Sequence, residues 1–328
     1  MTLTKYFFSP MRLFMICGVG AFLGLMGCPN NSPDNQIGTR RPVVVVTTTH
    51  LADLMDSLAG GLFEVIPLMG TGVDPHLYRP TSRDFNSIAK ADLVVFHGLT
   101  LEGRIGDALS QAEAKGIPSF AATSRIPKEL ILSSNTEGGA DSLDDPHVWF
   151  SPRIWSICAS SLTERLIQLD PDSESILRTN LSQLKTDIEM INQWSLSIVK
   201  EIPKERRKLV TSHDAFRYLG REFGIEVIGL QGVSTSIEAG LADRANLVDF
   251  IRKRDIPAIF VESSVNPAAM KEIAKEGNAV IGGELFSDAL GPKDETITGP
   301  DKKSYGLGTW EGMMIHNMST IAEALSGK

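Results

Sequence analysis

Four consecutive valines, Val43–Val46, follow Pro42 and run into Thr47-Thr48-Thr49. An apolar run this short, with no polar alternation, predicts a strand buried on both faces, hence parallel and central. His50 to Leu58 then carries apolar residues at helical spacing. Phe63 to Met69 predicts a second strand, with Gly70-Thr71-Gly72-Val73-Asp74-Pro75-His76 as the loop at its carboxyl end. Thr81 predicts a helix N-cap, with Asp84 three residues on as the capping-box acid. Asp92 to His97 predicts a strand, Leu101 to Ala114 a helix, and Pro152 to Leu169 another helix.

Between Asp172 and Lys200 there is no glycine or proline, and Leu177, Leu181, Leu184, Ile188, Ile191, Trp194 and Ile198 recur every three or four residues. That spacing predicts one long amphipathic helix. At about 1.5 Å per residue it would run on the order of 40 Å, the span of a domain. Pro171 and Pro203 bracket it. The second half then repeats the architecture of the first without repeating its sequence. Strands are expected at Lys208–Thr211, Glu226–Leu230, Ala258–Glu262 and Ala279–Ile281. Helices are expected at His213–Phe223, Ala242–Arg254, Pro267–Glu276 and Trp310–Leu325, with Pro292–Lys303 as a polar loop. Strands alternating with helices predict an α/β fold: two lobes with parallel sheets flanked by helices, joined by the long helix. Residues 42–170 would form the first lobe, 171–202 the linking helix and 203–328 the second lobe. Ligands of such sheets bind outside the carboxyl ends of the strands.

The start of the chain reads differently. Lys5 and Arg12 precede an apolar run from Leu13 to Met26, which is short for a membrane span and matches a signal sequence. Leu25-Met26-Gly27-Cys28 resembles a bacterial lipobox, so 1–28 is expected to be a lipoprotein signal peptide, with Cys28 lipidated. The plainer alternative is an uncleaved anchor helix. Both put the body outside the cytoplasm. Residues 29–41, rich in Asn, Pro and Gly, are expected to be a flexible tether.

Composition narrows the partners. With 42% hydrophobic and 22% charged residues in 328, the chain is an ordinary globular protein with room for two cores. A net charge of −8 argues against nucleic acid and favours cations. Only Cys158 lies in the body, which excludes an intrachain disulfide there.

Three histidines and one aspartate carry the candidate chemistry. His76 and His147 share a local text, Asp74-Pro75-His76 and Asp145-Pro146-His147. His213 follows the apolar Leu209-Val210-Thr211-Ser212. Asp288 follows Gly282-Gly283-Glu284-Leu285-Phe286-Ser287, in a glycine-flanked loop. Each sits near the carboxyl end of an expected strand, two per half, so facing lobes would bring them together in a cleft. Three imidazoles and a carboxylate complete a tetrahedral shell for a borderline divalent metal. Any one of these histidines alone is more often a structural hydrogen-bonder, and Asp288 alone a turn-former. His50 is expected to cap a helix or face solvent, and His97 to be structural. His316 lies among Met313, Met314 and Met318, which are expected to be core. Enzyme motifs such as His-Glu-x-x-His, a phosphate loop and Gly-x-Ser-x-Gly are absent. A closed shell of four protein ligands favours capture, because catalytic zinc keeps a position open for water.

At these residues the chain resembles the TroA-like zinc- and manganese-binding lipoproteins, the solute-binding proteins of bacterial metal ABC transporters. The likeness runs from about Pro42 to the C-terminus. It rests on Asp74-Pro75-His76-Leu77-Tyr78-Arg79-Pro80-Thr81, Ala91-Asp92-Leu93-Val94, Gly98-Leu99-Thr100-Leu101-Glu102, Asp145-Pro146-His147-Val148-Trp149, Ser212-His213-Asp214-Ala215-Phe216, Gly229–Thr235, Val261-Glu262-Ser263-Ser264 and Gly283–Asp288. The resemblance implies that His76, His147, His213 and Asp288 bind one Zn2+ or Mn2+, with Fe2+ a further candidate. It also implies a membrane permease as partner. Two departures bear on the metal. The acidic 133–145 segment lacks the histidine-rich loop usual in zinc-dedicated members, and His213 stands where manganese-dedicated members often have Glu. Asp74, Asp214, Glu262 and Ser263 are expected around the ligands, orienting their rings. The expected protein is a non-enzymatic monomer, lipid-anchored to the envelope. The alternatives are an extracytoplasmic metallohydrolase, using Glu262 or Glu284 as base, and a metal-stabilised adhesin. Metal-dependent turnover would mark the first; a surface mutation that ablates adhesion but spares metal affinity would mark the second.

Overall fold

The computed structural model describes residues 40–133 and 143–327. The expected signal peptide (1–28) with Cys28, the tether as far as residue 39 and most of the 133–145 loop lie outside the described residues.

In chain order the first lobe is β1 (Val43–Val46), α1 (Thr49–Ala59), β2 (Glu64–Pro67), α2 (Ser82–Ile88), β3 (Leu93–Phe96), α3 (Gly106–Ala114), β4 (Ser119–Ala121) and α4 (Pro152–Leu169). The sheet is parallel, in the order β2-β1-β3-β4. The four valines are its centre. Val44 and Val46 point into the main core and Val45 into a smaller cluster with Met69, Ile88 and Val94, as strand alternation requires. Thr48 caps α1 by accepting from Leu51 N, and Thr81 with Asp84 forms the expected capping box. Helix α3 starts later than the sequence suggests. Leu99 and Thr100 take positive φ (51° and 61°). Glu102 folds back to accept from Thr47 Oγ1 and His97 N, both at 2.6 Å, so this stretch is spent on a loop.

Helix α5 (Glu174–Ile198) is a single unbroken helix of 25 residues. Its apolar stripe packs on α1 and α4, and on the last helix of the second lobe.

The second lobe comprises β5 (Lys208–His213), α6 (Arg217–Phe223), β6 (Glu226–Gln231), α7 (Leu241–Lys253), β7 (Ala258–Glu262), α8 (Ala268–Gly277), β8 (Val280–Leu285), the hairpin β9 (Thr296–Thr298) with β10 (Ser304–Gly306), and α9 (Trp310–Ser326). Parallel pairs β5–β6 and β7–β8 lie side by side through β5 and β7. The 292–303 segment, expected to be plain loop, supplies β9 and its turn. Strand β5 runs to His213, so that residue ends a strand where a helix start was expected. Strand β8 likewise runs on through Gly282 and Gly283 to Leu285. The glycines let α9 lie against the strand: a Cβ on Gly283, whose φ is 149°, would meet Thr320 Cγ2 at 2.4 Å. The largest core cluster spans both lobes, from Val44, Leu51 and Trp155 through Ile188 to Phe260, Leu285 and Met314, beside a smaller cluster in each lobe.

Candidate metal centre

The two Asp-Pro-His texts fold alike. Asp74 Oδ1 accepts from His76 N at 2.8 Å, and Asp145 Oδ1 accepts from His147 N at 3.0 Å. Each turn fixes the backbone that carries its histidine. The third histidine is held by the end of β5, where His213 pairs in register with Gln231. Asp288 lies three residues beyond β8. Its approach is pinned from α9 by the buried Asn317, whose Oδ1 accepts from Phe286 N (2.9 Å) and whose Nδ2 donates to Phe286 O (2.7 Å).

These four side chains meet. His76, His147, His213 and Asp288 are all buried, and one ligand atom from each falls within 4.8 Å of the others. Nε2 of His147 is 3.4 Å from Nε2 of His76 and 3.3 Å from Nε2 of His213. Asp288 places Oδ1 3.2 Å from His147 Nε2 and Oδ2 3.3 Å from His213 Nε2. A tetrahedral centre 2.0–2.1 Å from its nitrogens has ligand-to-ligand edges of about 3.3–3.4 Å. Apart from the imidazoles of His147 and His213, neither carboxylate oxygen of Asp288 has a hydrogen-bond partner. A buried carboxylate needs a cation beside it, whether a metal ion or the protonated rings.

The far side of each ring fixes its orientation. His147 Nδ1 is 2.8 Å from Asp145 Oδ1, and His213 Nδ1 is 2.7 Å from Glu262 Oε2, while Glu262 Oε1 accepts from His213 N at 2.9 Å. Both contacts favour a proton on Nδ1 and turn Nε2 toward the centre. Burial opposes charge on these rings, but the carboxylates outweigh it. Glu262 and Asp288 hold His213 well above the usual imidazole range, and Asp145 and Asp288 raise His147. For Asp288 burial is likewise outweighed, and the two imidazoles keep its carboxyl well below the usual range. His76 has no such partner, and burial pushes it down to about 3.

The residues expected around the ligands divide. Glu262 touches a ring. Asp74 holds the His76 backbone, and its second oxygen accepts from Thr235 Oγ1 at 2.6 Å. Asp214 accepts from Gly229 N (2.9 Å), tying down β6. Ser263 Oγ is buried without a partner. Sequence reading missed Asp145, although its text is that of Asp74. It also missed Trp149, whose ring lies edge-on to His147 at 5.3 Å and whose Nε1 donates to Ser287 O at 3.1 Å. His50 corrects its expectation. Thr48 does the capping, and His50 lies fully buried, stacked on Trp149 at 4.4 Å. His97 is structural, its Nε2 2.6 Å from Pro146 O, and Met313, Met314 and Met318 are core.

The family model ZnuA, "zinc-uptake complex component A periplasmic", matches residues 44–324. The manganese-binding lipoprotein MntA of Bacillus subtilis is 37% identical over 311 residues, covering 93% of this chain and 96% of its own length. The zinc-binding protein TroA of Treponema pallidum is 37% identical over 291 residues, 87% of this chain and 89% of TroA. The solved structure of that periplasmic protein superposes with a TM-score of 0.80 at 36% identity, covering 87% of this chain and 99% of the other.

Proposed function

This chain belongs to the ZnuA family of metal-uptake components, and on that premise we propose that it captures one divalent transition metal outside the cytoplasm and delivers it to an ABC permease. Zinc and manganese, named for its relatives, are the leading cargoes, with iron a further candidate. His76, His147 and His213 bind through Nε2 and Asp288 through its carboxylate. The observation that carries this reading is the convergence of one ligand atom from each of three histidines and one aspartate, all buried and within 4.8 Å of one another, with the edges at His147 and His213 of 3.2–3.4 Å close to those of a tetrahedral shell. Three imidazoles favour zinc over manganese thermodynamically.

Capture without chemistry is supported by the same geometry. Four protein ligands fill a tetrahedral shell, and Glu262, the expected base of a hydrolase, is engaged by His213. Glu284 is exposed on β8. Among the described residues no helix is long and apolar enough to cross a membrane. Attachment to the envelope is assigned to the N-terminal segment, cleaved before Cys28 so that Cys28 becomes the lipidated mature N-terminus. The mature body divides into a first lobe (42–170), a linking helix (171–202) and a second lobe (203–328), and works as a monomer.

Thermal unfolding of the metal-stripped protein tests the reading. Zinc or manganese at about 1,000 times its dissociation constant stabilises by roughly 4 kcal/mol, a shift in midpoint that is easily measured. Magnesium should give none, and Asp288→Ala should lose most of it. The absence of any shift with zinc, manganese or iron would exclude the four-ligand site.

A further inference from the structure

Asp74 serves two masters. Through Oδ1 it holds the backbone of His76, and through Oδ2 it accepts from Thr235 Oγ1 of the opposite lobe at 2.6 Å. Thr235 is buried and lies in the segment 232–240 that joins β6 to α7. Residues of this segment line two cavities. One is of about 280 Å³, lined by His76, Pro146, Val233, Ser236 and Ile237. The other is of about 350 Å³, lined by Asp74, Thr235, Glu238 and Ala239. A segment so placed has room to shift without disturbing a packed core. Its tip is open to solvent, with Ile237 81% exposed.

The exit for a bound ion follows from burial. His147 and His213 are fully buried and Asp288 is 2% exposed, whereas His76 is 5% exposed and borders the smaller cavity. Of the four ligands His76 is thus the one nearest solvent, and Val233, Ser236 and Ile237 of the 232–240 segment line the same cavity. The hydrogen bond from Thr235 makes the turn carrying this ligand and the segment covering it move together.

We infer that Thr235 is a positioning residue for metal retention: its hydroxyl, bonded to Asp74, latches the 232–240 segment over His76 and sets how slowly the ion leaves. The inference rests on the ligand set proposed above. Thr235 touches no ligand atom in that set, so its loss acts on the rate of escape and leaves the coordination shell intact. A hydrogen bond to a carboxylate is worth enough to change that rate by about tenfold.

The test loads the full-length protein with cobalt(II), whose visible spectrum reports tetrahedral coordination, and mixes it rapidly with excess chelator. Thr235→Val and Thr235→Ala, which both lack the hydroxyl, should release cobalt about tenfold faster than wild type with an unchanged spectrum. Thr235→Ser, which keeps it, should release at the wild-type rate. Release at the wild-type rate from both hydroxyl-free variants, or fast release from Thr235→Ser, overturns the latch. A changed cobalt spectrum in the variants also overturns it, since the hydroxyl would then shape the coordination itself. A wild-type protein that binds no cobalt overturns the four-ligand centre, and the latch with it.

Discussion

Nε2 of His147 lies 3.3 Å from Nε2 of His213, although the two rings come from opposite lobes. Each is turned to this position by a carboxylate behind it, Asp145 for one and Glu262 for the other. Those carboxylates also attract protons to the rings. In the metal-free protein, protons and metal therefore compete for the same nitrogens.

That competition fixes the sign of the pH dependence. Metal binds the neutral imidazole, and the His147 and His213 pKa values are raised. Affinity should therefore climb as pH rises through neutrality, with protons released on binding. In the metal-free fold a raised histidine contributes stability below its unfolded pKa of about 6.5 and loses it as pH rises through the folded value. The gain in unfolding temperature on adding zinc should thus widen between pH 6 and 8. Calorimetry in buffers of different ionisation enthalpy counts the protons; no release would contradict the assignment.

Glu262→Gln keeps the shape of the side chain and removes its charge. The ring of His213 becomes a weaker donor to metal, and affinity should fall by about 10- to 100-fold. Competition with a chromophoric chelator measures this. Unchanged affinity would mean that Glu262 only holds the strand end.

His50 predicts behaviour in acid. Burial first, then the neighbouring His97, lowers its pKa to about 3, and neither ring nitrogen has a partner. A depressed pKa gives stability that is present above about 6.5 and lost as pH falls toward the folded value. His50→Phe keeps the stack on Trp149 and removes the proton acceptor. The metal-free variant should unfold at a lower pH than wild type, followed by circular dichroism. Unfolding at the same or higher pH would refute this account.

Gly283→Ala should destabilise the fold by about 1–3 kcal/mol, because the new methyl overlaps Thr320 Cγ2 and the φ of 149° disfavours a side chain. Adding Thr320→Ser, which deletes that methyl, should restore part of the loss in urea unfolding. No recovery would put the whole cost in the backbone.

Local pattern made much of the fold legible. Helix α4 runs from Pro152 to Leu169 and β7 from Ala258 to Glu262, both within the bounds the local pattern indicates. The errors fall where distant groups override local preference. Leu101 reads as a helix start, but Glu102 is drawn to Thr47 and His97. Gly282 and Gly283 read as a loop, but α9 packs on them as strand.

The centre divides in the same way. Sequence by itself determined the residue types, their loops at the carboxyl ends of strands, and the repeated Asp-Pro-His turn, because side chain-to-backbone hydrogen bonds of this kind close within two residues. Tertiary structure alone decided that two such turns do different work. Asp145 reaches the ring of its histidine, while Asp74 turns to Thr235 across the cleft. It also decided that the four ligand atoms come within 4.8 Å of one another and that His50 stacks on Trp149. Those relationships depend on how two lobes close on a shared core, and no short-range preference of the chain encodes that distance.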